Sequence, residues 1–218
     1  MKSIEVKKRI LQSNTEFAER NRRLLKEKGL VTLNIFGSPG AGKTSILEKV
    51  IRNMKDKVSI GVIEGDLYTT KDGMRIEGQG IPVVQINTCG ACHLDAAMVE
   101  ESIQAMNIEK LDVLFIENIG NLVCPASYDL GEDKRITVLS ITEGNDKPLK
   151  YPFIFKQSDA VVLNKMDIIE FTDFNLDEFY EDIYLLNKDI KVFLVSARSG
   201  EGISEFCNYL ESKLVKNN

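Results

Sequence analysis

The chain has a single histidine, His93, and only four cysteines, at positions 89, 92, 124 and 207, among 218 residues. Thiols this few and this unevenly spaced do not make a disulfide framework, and in a reducing compartment grouped thiols more often serve metals or redox chemistry. A cationic surplus is also missing. The 33 acidic residues outnumber the 28 basic ones, giving a net charge of -5, which argues against a broad basic face for nucleic acid. No apolar run approaches a membrane span, and the opening Met1-Lys2-Ser3-Ile4-Glu5-Val6-Lys7 lacks the apolar core of a secretory signal. The expectation is a cytoplasmic protein with neither nucleic acid nor a membrane as partner. Internal repeats and low-complexity tracts are absent too, and the length suits one α/β domain with a full core.

The clearest feature present is Gly37-Ser38-Pro39-Gly40-Ala41-Gly42-Lys43-Thr44, directly after the apolar run Val31-Thr32-Leu33-Asn34-Ile35-Phe36. It fits G-x-x-x-x-G-K-[ST] at every fixed position and reads strand, glycine-rich turn, helix start. Such a turn lets backbone N–H groups curl around phosphate oxygens. Lys43 adds a point charge on the β and γ phosphates, the Thr44 hydroxyl takes a Mg²⁺, and Ser45 begins the helix.

Residues 3 to 28 are highly charged, yet Ile10, Phe17 and Leu24 recur every seven positions, as do Leu11, Ala18 and Leu25. This predicts an amphipathic helix laid on the core and ended by Gly29. Strand-like runs follow at 31–36, 58–63, 82–86, 112–116, 136–141, 160–163 and 191–195, with helical patterns at 45–54, 94–107, 174–187 and 203–214, and a long loop over 143–152. Apolar strands alternating with helices predict a P-loop NTPase fold, a mostly parallel β-sheet with helices on both faces. The whole of 1–218 reads as a single G domain carrying the helix at 3–28.

Ligands of such sheets gather at the carboxyl ends of the strands. There Asn164-Lys165-Met166-Asp167 matches N-K-x-D, whose aspartate accepts two hydrogen bonds from guanine and finds no such donor pair on adenine; Ser196-Ala197-Arg198 stands where the next base-contacting loop belongs. GTP is expected over ATP, and a P-loop kinase would have no use for N-K-x-D. Asp66 and Glu117 each end an apolar strand near the expected Mg²⁺. Glu117-Asn118-Ile119-Gly120 stands where small GTPases carry Asp-x-x-Gly, and Asn121 replaces their catalytic glutamine, so slow intrinsic hydrolysis is expected. Lys43, Thr44, Asp66 and Glu117 are the candidate catalytic residues.

Cys92-His93 and Cys124-Pro125 lie in loops after neighbouring strands, so three soft or borderline ligands are placed to converge on zinc or nickel. Spacing alone leaves a Cys89/Cys92 disulfide and ordinary loop thiols as open alternatives. Cys207 shares a helical face with Ile203, Phe206, Leu210 and Leu214 and is expected in the core, and Cys89, three residues before Cys92, reads as an extra ligand, a redox partner or a small buried residue, the last being the expectation. Lys147 and Lys150 read as solvated charges, with contact of one of them to GTP in a partner subunit as the rival reading.

Over about residues 5 to 215 the chain resembles the hydrogenase-maturation nickel-incorporation GTPases, the HypB family. The resemblance rests on the phosphate loop, Glu64-Gly65-Asp66, Cys92-His93-Leu94-Asp95, the stretch from Glu117 to Pro125, and Asn164-Lys165-Met166-Asp167. It implies GTP hydrolysis coupled to nickel delivery into [NiFe]-hydrogenase, GTP-dependent homodimerisation, and a Zn²⁺ or Ni²⁺ site at the dimer interface with Cys92, His93 and Cys124 as ligands. The hydrogenase large subunit and a nickel-delivering co-chaperone are the implied partners. Some members begin with a cysteine-rich motif and others carry a histidine-rich tract; here the first cysteine is Cys89, which leaves the interface site. Urease-accessory GTPases are similar but place Cys-Pro-His together, whereas here Cys92 and His93 are adjacent and Pro125 follows the other cysteine. A GTPase switch with structural cysteines is the remaining rival.

Overall fold

A computed structural model describes the backbone of residues 6–214 and the side chains from Leu11 onward. Residues 3–5 and the side chain of Ile10, which the expected N-terminal helix included, lie outside the described residues. In chain order the elements are α1 (Val6–Glu27), β1 (Val31–Gly37), α2 (Lys43–Met54), β2 (Ile60–Asp66), α3 (Lys71–Glu77), β3 (Val83–Asn87), α4 (Ala96–Ala105), β4 (Val113–Glu117), β5 (Lys134–Ser140), α5 (Lys147–Lys150), α6 (Pro152–Gln157), β6 (Ala160–Asn164), α7 (Leu176–Leu186), β7 (Lys191–Leu194) and α8 (Ile203–Leu214).

The seven strands form one all-parallel sheet in the order β3-β2-β4-β1-β5-β6-β7. Both faces are covered, as the continuous apolar runs require. Along β4, Val113 and Phe115 face a core shared with α2 and α8, while Leu114 and Ile116 face the opposite core with α1 and α4. A third apolar cluster packs Phe36, Leu139, Val161 and Leu163 against Ile154 and Phe155 of α6 and Phe179 and Ile183 of α7. Cys207 is buried in the first of these, as its helical face predicts.

Helix α1 is anchored by polar groups as well as by Ala18 and Leu25. Asn21, 1% exposed, donates from Nδ2 to the carbonyls of Ala96 (2.8 Å) and Leu130 (3.0 Å). Asn14 donates to the Asp129 carbonyl (2.8 Å) and its Oδ1 accepts from the Ala96 amide (2.8 Å). Both asparagines therefore grip the first residue of α4.

The segment 143–152 is not an open loop. Pro148 and Pro152 stand in the first turns of α5 and α6, where a missing N–H costs nothing, so residues that read as loop punctuation start two short helices instead. Helix α3 was not anticipated either, because only Gly73 and Ile76 of its seven residues are buried and no apolar period marks it. Among the described residues no helix is long and apolar enough to cross a membrane.

Candidate functional site

The loops beyond the carboxyl ends of the strands enclose a cleft of about 890 Å³ lined by the phosphate loop, the ends of β2 and β4, Asn164, Lys165 and Asp167, and Ala197 and Arg198. At its floor Gly42 has φ +96, a left-handed conformation, and a Cβ there would lie 2.3 Å from Asn164 Nδ2. Only glycine fits. Immediately after it α2 begins at Lys43, so the positive end of its dipole faces the same cleft. Lys43 is buried and its ammonium reaches the carbonyls of Gly37 (3.4 Å) and Ser38 (3.5 Å). Burial pulls its pKa down, with Glu117 opposing.

Gly37 pairs across an isolated bridge with Asn121, and Gly120 lies against Pro39, so the loop after β4 closes over the phosphate loop. Ser45 accepts a hydrogen bond on Oγ from Arg75 of α3 (3.1 Å).

Asn164 joins three loops. Its Nδ2 donates to the Ala41 carbonyl (2.9 Å) and its Oδ1 accepts from the Ala197 amide (3.0 Å), with the side chain 2% exposed. Lys165 turns the chain at φ +68, and the Asp167 carboxylate beyond it accepts from Ser196 Oγ (2.7 Å). The pieces of the N-K-x-D motif thus bind the phosphate loop on one side and the Ser196 loop on the other.

Two buried carboxylates face the cleft. Thr44 Oγ1 donates to Glu117 Oε1 at 2.6 Å, while Glu64 stands directly opposite Glu117 in the β2–β4 register. Glu64 Oε2 and Glu117 Oε2 are buried and lack a hydrogen-bond partner among the described residues. Burial pushes Glu64 up to about 8, with the Glu117 charge adding, and pushes Glu117 up to about 7 against the pull of Lys43 and Thr44. A buried like-charged pair is stable only when protonated or when a cation sits with it. Beside a threonine hydroxyl, this oxygen donor set fits Mg²⁺. Glu64 belonged to a quoted motif yet was not singled out from sequence; the available signal was a carboxylate inside an apolar strand. Asp66 lines the same cleft, but its Oδ1 accepts from the Tyr68 (2.8 Å) and Thr69 (2.7 Å) amides of its own loop.

The second constellation lies just beyond. One ligand atom each from Cys92, His93 and Cys124 all fall within 4.8 Å of one another. The expectation that they come from neighbouring strands is corrected by the topology, because β2 lies between β3 and β4 and the two loops meet across its end. Hydrogen bonds hold that meeting: Asn121 Nδ2 donates to the Cys92 carbonyl (3.2 Å) and the Leu94 amide donates to Asn118 Oδ1 (3.4 Å). The His93 ring stacks on Tyr128 with centroids 3.8 Å apart, and burial lowers its pKa, favouring the neutral imidazole that ligates metals. The hydrogen bond with Cys124, then burial, push the Cys92 thiol up. Two thiols and an imidazole are donors suited to zinc or nickel.

Cys89, expected buried, is exposed instead, at φ +50 in the turn before this cluster. Lys147 and Lys150 both pair with Asp146 on α5, and Lys147 also donates to the Glu143 carbonyl (2.5 Å).

The family model described as the CobW/HypB/UreG nucleotide-binding domain matches residues 31–194. The chain is 47% identical over 208 residues to the hydrogenase maturation factor HypB of Rhizobium leguminosarum bv. viciae, covering 95% of this chain and 70% of that one. This chain belongs to the HypB family of hydrogenase maturation factors. Among solved structures, HypB from Helicobacter pylori in complex with nickel superposes with a TM-score of 0.89 at 39% identity, covering 94% of this chain and 96% of that one. HypB from Archaeoglobus fulgidus gives 0.87 at 36%, covering 93% and 99%. The all-parallel sheet and its P-loop are thus those of HypB proteins.

Proposed function

We propose that this HypB-family chain is a GTP-hydrolysing nickel metallochaperone, acting in the cytoplasm to assist nickel insertion into [NiFe]-hydrogenase. The loop from Gly37 to Ser45 holds the phosphates, with Lys43 on the β and γ groups. Thr44, Asp66 and Glu117, joined by Glu64, hold Mg²⁺, which when bound neutralises charge developing on the phosphates. Asp167 reads guanine, with Asn164, Lys165, Ser196 and Ala197 shaping the base site and Gly120 ordering over the γ phosphate. GTP draws two copies into a homodimer, and Cys92, His93 and Cys124 receive Zn²⁺ or Ni²⁺ at its interface. A co-chaperone delivers the nickel, and the hydrogenase large subunit receives it. The whole of 1–218 works as one G domain, with α1 part of it.

The observation that carries this reading is the shared segment after β4, which begins at Glu117 beside Thr44 and ends at Cys124 beside Cys92. Any reordering of that segment by nucleotide also moves one metal donor relative to the others, and the bonds from Asn121 and Asn118 pass the motion to the Cys92-His93 loop.

The test is nickel affinity and metal content of the purified protein with GDP and with a non-hydrolysable GTP analogue. The expected result is a clear difference in nickel affinity between the two states, abolished when Cys92, His93 and Cys124 are replaced by alanine. Identical affinities in both states would falsify the coupling, and unchanged metal binding in the triple variant would leave the cysteines structural.

A further inference from the structure

Cys89-Gly90-Ala91-Cys92 places a fourth cysteine three residues before the cluster, at the C-x-x-C spacing by which two thiolates close on one ion. The turn that carries it is unusual. Ala91 N donates to the Thr88 carbonyl (3.2 Å), closing a four-residue turn whose two central residues, Cys89 at φ +50 and Gly90 at φ +104, are both left-handed. Such turns favour asparagine, aspartate or glycine at the first central position. A cysteine there carries a steric cost that glycine would avoid. The Asn87 side chain helps offset it, its Oδ1 accepting from the Cys89 amide at 3.0 Å. A strained residue held by its surroundings, beside a chemical cluster, points to use of its side chain.

The cluster has a place for that side chain. Cys92, His93 and Cys124 supply three donors, one short of a closed tetrahedral shell. The neighbouring Asp95 is not among those donors and caps α4, its Oδ1 accepting from the Met98 amide (2.9 Å). The Cys89 thiol is exposed and reaches only the Asn87 carbonyl, at 3.9 Å. It lies outside the set of three, so joining it requires the short Cys89-Gly90 turn to rotate. Position 90 is glycine, and a Cβ there would meet the Tyr68 hydroxyl at 2.8 Å.

We propose that Cys89 is the fourth ligand, completing a Cys₃His metal site within a single protomer. The inference rests on Cys92, His93 and Cys124 binding metal, and it changes what that site requires: with Cys89 recruited, a metal is held with full coordination before any second copy arrives. Each thiol that ligates gives its proton to solvent, so closure by Cys89 releases one proton more than the three-donor site does.

The test uses the full, reduced, nucleotide-free chain titrated with Co²⁺ as a spectroscopic probe and with Zn²⁺, comparing wild type, Cys89→Ser, Cys89→Gly and Cys92→Ala. Cys89→Gly relieves the left-handed strain, so it folds at least as well as wild type and keeps the comparison valid. The expected result is one metal per monomer in wild type, with the sulfur-to-cobalt charge-transfer intensity of three thiolates. In both Cys89 variants that intensity falls to two thiolates, one proton fewer is released per Zn²⁺, and zinc affinity drops at least about tenfold. Equal intensity and proton release in wild type and the Cys89 variants overturn the proposal. If that two-thiolate signal is still lost in Cys92→Ala, the three-donor site survives without its fourth member. If wild type binds no metal, or Cys92→Ala binds it as well as wild type, the parent reading falls instead.

Discussion

Replacing Asn164 by alanine removes a side chain that ties the phosphate loop to the Ala197 loop. The Ala41 carbonyl loses a donor at 2.9 Å and the Ala197 amide loses an acceptor at 3.0 Å, and Asn164 itself is 2% exposed, so neither group regains water freely. Leaving a buried backbone group unpaired costs about 1–3 kcal/mol. Two such losses, with some relaxation of the half-buried Ala197 backbone, come to about 3 kcal/mol, a large part of the roughly 5–15 kcal/mol that holds a domain together. The functional effect follows the same path, because Ala41 belongs to the phosphate loop and Ala197 to the base loop. Loosening both lowers GDP affinity at least about tenfold, equivalent to 1.4 kcal/mol. Urea denaturation of the nucleotide-free protein reads the first effect as a lower midpoint at unchanged slope, and fluorescent-GDP titration reads the second. Asn164→Asp sharpens the test: it keeps an acceptor for Ala197 but sets a carboxylate oxygen against the Ala41 carbonyl, so it should be no better than alanine. An alanine variant within about 0.5 kcal/mol of wild type, the scatter expected of a neutral surface change, with unchanged GDP affinity, refutes the reasoning.

Three further outcomes are expected. Asn21→Ala strips the Ala96 and Leu130 carbonyls of their donor but also removes the buried, unpartnered Asn21 Oδ1, so the net loss is about 2 kcal/mol, seen as a lower denaturation midpoint. Glu64 and Glu117, pushed up to about 8 and about 7 from an ordinary 4.5, bind more protons in the folded nucleotide- and metal-free chain than in the unfolded one. Their contribution is therefore complete below pH 4.5 and is lost as pH rises through 7 and 8. Denaturation midpoints should fall from pH 6 to 9, and Glu64→Gln should flatten much of that slope; an unaltered slope in the variant would count against the pair. Asp167→Asn should exchange guanine for xanthine nucleotides in binding assays, and retained preference for GTP would show that the base is read elsewhere.

Much of the fold was legible because the residues that build it are also the ones that spell it. Val31 to Thr44 alternates from apolar strand to glycine turn to helix start within one stretch, and no distant contact is needed to read it. The strands were found for the same reason, since burial on both faces demands continuous apolar runs. The short helices α3, α5 and α6 escaped because each is held by tertiary contacts rather than by its own period. In 143–157 the prolines that mark helix starts are also the ordinary marks of a loop. Asn14 and Asn21 lay in view on the stripe of α1 with Ala18 and Leu25, but an asparagine on an apolar stripe reveals its partners only when α4 is in place. Glu64 was hidden likewise: its meaning depends on Glu117 standing opposite, which is a matter of strand order. The order β3-β2-β4 also separates strands that succeed one another in sequence, and Cys89 shows that a turn's handedness decides exposure where composition suggested burial.

That interleaving of β2 has a kinetic consequence. A metal held by Cys92, His93 and Cys124 fastens together the two loops on either side of the strand that carries Glu64 and Asp66, much as a strap closes over a hinge. The Leu67 to Thr69 segment, which lines the nucleotide cleft, then has less room to swing aside. Whatever factor nucleotide exerts on metal affinity must be returned by metal on nucleotide affinity. On the proposed reading, a loaded cluster would slow nucleotide release, and nucleotide off-rates measured with and without bound metal check it.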